Sequence, residues 1–94
     1  GRGTVARIQG THEGGDDYRV EVEDDRGTSS HRVTVTDRHL KTYGAGAEAE
    51  ALLEESFHFL LEREPKESIL SSFDLPVIER YFPEYPDEIR ARMS

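Results

Sequence analysis

The 94-residue chain has no cysteine and no tryptophan, and only one methionine. Without thiols, no disulfide can support the fold and no thiolate can act as nucleophile or metal ligand. This accords with a reducing compartment, and a cytoplasmic location is expected. No apolar run approaches the roughly 20 residues of a membrane-spanning helix. No basic-then-apolar leader opens the chain, so neither a membrane anchor nor an export signal is expected. Aromatics are few, four Tyr and four Phe, so the core needs nearly all of them.

Positive charge is also scarce. There are 12 Lys and Arg against 20 Asp and Glu, for a formal charge of −8. The imbalance is concentrated in one half. Residues 1–44 hold seven basic and eight acidic side chains, whereas 45–94 hold five and twelve, a local charge of −7. Such a surface repels phosphate backbones and anionic lipid, so no DNA and no membrane partner is expected for the second half.

The length suits one domain, with a strand half at 4–36 and a helical half at 37–94. The clearest segment is 47–64, AEAEALLEESFHFLLERE. Ala49, Leu52, Leu53, Ser56, Phe57, Leu60 and Leu61 recur on one helical face. The residue before a proline avoids helical geometry, so this long helix is expected to end at Glu64.

Upstream, 17–24 alternates cleanly, with Tyr18, Val20 and Val22 opposite Arg19, Glu21 and Glu23. Residues 30–36 do the same with His31, Val33 and Val35, and 4–11 is a weaker third strand. One-sided alternation marks an antiparallel sheet with one wet face. DDRG at 24–27 supplies a turn, but two registers fit it. A two-residue Arg26-Gly27 loop sets Val20 against Val33 and Glu21 against Arg32. A type I turn with Gly27 as bulge sets Val20 against His31 and Arg19 against Arg32.

Downstream, Thr36 reads as an N-cap, with Leu40 and Tyr43 as contacts and Gly44 as stop. Residues 68–73 are expected to form one or two helical turns that bury Ile69, Leu70 and Phe73. Asp74 is then expected to cap a helix with Pro76 in its first turn. A last helix opens at Tyr85-Pro86-Asp87 and is anchored by Ile89. The fold class is therefore α+β: a three-stranded antiparallel meander, then a long amphipathic helix and short C-terminal helices on one face.

The block Phe59-Leu60-Leu61-Glu62-Arg63-Glu64-Pro65, followed by Ser68-Ile69-Leu70, Phe73-Asp74-Leu75 and Tyr81-Phe82-Pro83, resembles a family of short uncharacterised bacterial proteins. The likeness covers 56–85 and, more loosely, 31–40. It implies a bacterial, cytoplasmic origin and no particular activity.

Candidate sites are sparse. Glu54, His58 and Glu62 stack at i, i+4 and i+8 and could hold a divalent ion, but a solvated face of Glu–His pairs is the simpler reading. His12, His31, His39 and His58 form no triad, so no catalytic residue is assigned. Gly10, Gly14 and Gly15 match no phosphate-loop spacing and read as turn glycines. No cofactor is implied. Arg7, Arg19 and Arg32 would make a stripe on adjacent strands, able to hold RNA or to form a cross-strand ion-pair ladder. Tyr81, Phe82 and Tyr85 are the densest aromatic cluster, suited to the core or to a protein interface. The leading expectation is a non-enzymatic interaction or regulatory module that binds another protein or a second copy of itself. The alternatives are a small enzyme or ligand binder with His31 and Tyr18 in a pocket between sheet and helix, and RNA binding through the arginines.

Overall fold

A computed structural model describes residues 6–44 and 47–93. The Thr4-Val5 start of the first expected strand and the Ala45-Gly46 joint lie outside them. The element order is β1 (Arg7–Gly14), β2 (Asp17–Asp24), β3 (Gly27–Thr34), α1 (Asp37–Tyr43), α2 (Ala49–Leu61), a 3-10 turn at Lys66–Ser68, β4 (Ser72–Asp74), α3 (Val77–Tyr81) and α4 (Tyr85–Met93).

The meander is present as expected, and its apolar face is the core. Val20, Val22, Val33 and Val35 are buried, together with Leu52, Leu53 and Phe57 of α2. Each strand alternates, so one face holds the valines while Arg7, Arg19, Arg32, Glu21 and Glu23 stand in water on the other. Gly10 is not a turn residue. It sits mid-strand in β1, opposite Val20, where an added Cβ would lie 3.9 Å from Leu53 Cδ1.

The hairpin adopts the second of the two registers. Val20 faces His31, Arg19 faces Arg32, and Gly27 takes φ 136°, a conformation that costs glycine little. The like-charge pair is tolerated because of a bulge in β1. The β1–β2 register shifts between His12 and Gly14, leaving Glu13 unpaired in the ladder. A bulge re-aims its side chain. Glu13 reaches both guanidiniums, 3.2 Å from Arg19 Nε and 3.6 Å from one terminal nitrogen of Arg32.

α1 is capped as expected, and His39 completes a capping box with Thr36. Gly44 closes it with its N–H on the Leu40 carbonyl at 2.9 Å. A Cβ there would lie 2.9 Å from that same oxygen, so no larger residue fits without backbone movement.

α2 is shorter than the expected 47–64. It stops at Leu61, and the chain then tightens, with Arg63 and Glu64 both donating their N–H to the Leu60 carbonyl. It is also buried on a second side. Phe59 packs edge-on against Phe82 and Tyr85 of the C-terminal segment, and Ser56 Oγ lies 2.7 Å from the Tyr85 hydroxyl. A buried serine inside a helix stripe thus has a partner that satisfies it.

The largest departure lies at 68–74. The expected helical turns are absent. The chain instead runs extended from Ile69, and β4 joins the sheet parallel to β3, giving a four-stranded mixed sheet in the order β1-β2-β3-β4. The reason is the edge that β3 would otherwise leave open. Arg32 donates its N–H to the Ser71 carbonyl at 2.8 Å, and Thr34 O accepts from Leu75 N–H at 3.1 Å. Asp74 therefore ends a strand rather than capping a helix, and Pro76 stands at the N-terminus of α3. An extended backbone also turns neighbouring side chains to opposite sides. Ile69 is buried while Leu70 is 44 % exposed, not inside as the helical reading required.

Leu53→Ala is expected to cost about 2–5 kcal/mol, the range for deleting a fully buried leucine. Leu70→Ala is expected to stay within about 0.5 kcal/mol, as at an exposed site. Urea midpoints of the two variants at an unchanged slope would check both.

Candidate functional site

The segment that leaves α2 and returns as β4 and α3 encloses an apolar groove of about 380 Å³. One wall is Leu60 of α2 with Glu64 of the turn that follows it. The strap that follows, residues 66–70, contributes Ser68, Ile69 and Leu70, β4 contributes Phe73, and the far wall is Val77, Ile78 and Tyr81 of α3, with Phe82. Among the described residues, the two large hydrophobic side chains classed as exposed are Leu70 at 44 % and Tyr81 at 65 %, and both line this groove.

The walls are tied down from behind. His31 is 3 % exposed, yet both ring nitrogens are engaged. Nδ1 lies 2.8 Å from the Leu70 carbonyl, so it carries the proton and donates, and Nε2 accepts from Ser29 Oγ at 2.8 Å. Lys66 lies buried in the strap. Its Nζ is 2.6 Å from Glu67 and 3.0 Å from Asp24 at the far end of the β2–β3 hairpin. The hydrogen bond to Lys66 lowers the Asp24 carboxyl, helped by the Arg26 N–H, and lowers Glu67 as well. α3 is held by Tyr43, whose hydroxyl donates to Glu79 at 2.9 Å. Burial, then that hydrogen bond, pushes the Tyr43 phenol up to about 12.

Glu64 stands apart. It is the one formally charged side chain lining the groove, and among the described residues its carboxylate has no ion pair or hydrogen bond. Burial pushes its carboxyl up. The neighbouring Arg63 turns away, stacking on the Phe59 ring at 3.7 Å and meeting Glu84 at 3.0 Å.

The aromatics of the expected cluster are split. Tyr85 is wholly buried, Phe82 half-buried and Tyr81 exposed. The arginines are also separated. Arg19 and Arg32 share Glu13 beside an open polar recess lined also by Ser30, His31, Ser71 and Ser72. Arg7 lies opposite Glu23, four residues along β1 from Thr11, the partner of Arg19, and so ~13 Å away. Tyr18 stacks on His12 at a centroid distance of 4.7 Å and lines neither the recess nor the groove. His58 lies 4.0 Å from Glu54, while Glu62 turns to Arg92 at 2.7 Å. No protein-family model, curated protein or solved structure matches the chain.

The Lys66 pairs carry a pH dependence whose sign follows from the lowered carboxyls. Their stabilisation is present above the ordinary carboxylate range and is lost as pH falls through the folded values of Asp24 and Glu67. Wild type should therefore lose more stability between pH 7 and pH 3 than Asp24→Asn, by urea titration at both pH values.

Proposed function

We propose that this protein is a non-enzymatic interaction module that docks a segment of another protein into the groove between α2, the 66–70 strap and α3. The observation that carries the reading is the placement of Leu70 and Tyr81. A chain of this size needs every large apolar side chain for its core, yet these two stand in solvent on the rim of the same cleft. Exposed leucine and tyrosine gathered around a pre-formed apolar floor match the make-up of a docking surface.

Support also comes from rigidity. Hydrogen bonds from His31, Arg32 and Leu75, and the buried Lys66, fix the strap and β4. Pre-ordered walls lower the entropy cost of association. Neither His31, which lines the polar recess, nor Tyr18 lines the groove. His31 has both nitrogens committed and Tyr18 lies apart from it.

Parallel affinity enrichment tests the assignment, with immobilised wild type against Leu70→Ser/Tyr81→Ser. Both positions are exposed, so melting temperatures should agree closely. A protein held by wild type should be held about 30-fold more weakly by the variant, the effect of losing a tyrosine-centred contact worth about 2 kcal/mol. Equal retention on both would show that the groove is not the contact.

A further inference from the structure

We infer that the groove's occupant is a peptide segment presenting apolar side chains together with a lysine or arginine, and that Glu64 pairs with that cation. The inference rests on the groove being a protein-docking site and adds the chemistry of what enters it.

The floor and walls ask for apolar side chains, since Leu60, Ile69, Phe73 and Ile78 offer dispersion contacts and no polar partner. Glu64 is the exception. A half-buried carboxylate beside such side chains loses part of its hydration, and an opposite charge would compensate it. No cation of the described chain does so. Arg63 is spent on Phe59, Glu62 and Glu84. Lys66 points to Asp24 and Glu67, and Arg92 reaches Glu62 at 2.7 Å. Arg80 of α3 does not line the groove. The upward push on the Glu64 carboxyl has burial as its cause, and an incoming ammonium or guanidinium would relieve it.

The wider field has the same sign. Residues 45–94 carry five basic and twelve acidic side chains, a charge of −7. A second copy docking by this surface would bring two such halves together, so like-charge repulsion favours a different, basic partner. Charge complementarity and a carboxylate on the groove wall that no described side chain pairs with thus select one occupant among those the shape admits.

The test is selection from a phage-displayed random peptide library on the full chain, repeated on Glu64→Lys and on Leu70→Ser/Tyr81→Ser, with affinities of recovered peptides measured by fluorescence anisotropy. Wild type should enrich peptides that combine apolar residues with Lys or Arg. Their affinity should fall about tenfold on Glu64→Gln, the effect of losing a charge-assisted contact. Glu64→Lys should enrich acidic residues in place of basic ones. Peptides that require Leu70 and Tyr81 but carry no basic residue, and bind Glu64→Gln as tightly as wild type, would overturn the cation pairing while leaving the docking site standing. Recovery of no peptide whose binding depends on Leu70 and Tyr81 would overturn both.

Discussion

Two valine-bearing strands cannot keep one face in water, and the rest of the molecule follows from how that face is hidden. α2 lies across it with Leu53 and Phe57 buried, and its far side then needs covering as well, because Phe59 and Ser56 point away from the sheet. α4 supplies Tyr85 and Ile89 for that purpose. The helix is therefore enclosed between two layers, and the chain joining it to α4 passes along the β3 edge of the sheet. That detour is the strap, β4 and α3, and the groove lies within it.

Much of this was legible in the residues. Alternation at Tyr18, Val20, Val22, Val33 and Val35 placed the core face in either hairpin register. Thr36, Gly44 and Ile89 did what their positions suggest. What could not be read locally was decided by distant partners. The register depends on Glu13, which can bridge two opposed arginines only because β1 bulges beside it. Residues 68–74 contain Ile, Leu and Phe at a spacing that suits a helix, yet β3's open edge takes them as a strand, so tertiary hydrogen bonding overrode local pattern. Along 47–64, Phe59 was passed over because it falls off the main stripe.

The candidate site was legible only in part. Tyr81 and Phe82 belonged to the aromatic cluster that sequence singled out, but Tyr85 from the same cluster is wholly buried. A helical reading of 68–73 turns Leu70 inward, whereas the extended chain leaves it exposed. Glu64, standing before Pro65, reads as a helix end and nothing in its local sequence marks it for chemistry. A signal against the helix at 68–73 is present in the residues: two serines follow Leu70 and weaken the helical reading of that stretch. The polar-face arginines show the converse. Residues adjacent in a strand diagram need not be close, and Arg7 lies too far along β1 to join Arg19 and Arg32.

The irregularity at Glu13 also bears on how these molecules behave when crowded. With β4 laid along β3, the other margin of the sheet is β1, eight residues from Arg7 to Gly14. Such a margin invites a neighbouring chain to stack and propagate. The kink breaks the regular repeat of backbone donors and acceptors near one end, and a net charge of −8 keeps copies apart. The local distortion that lets two arginines face each other thus also interrupts the sheet's longer open margin.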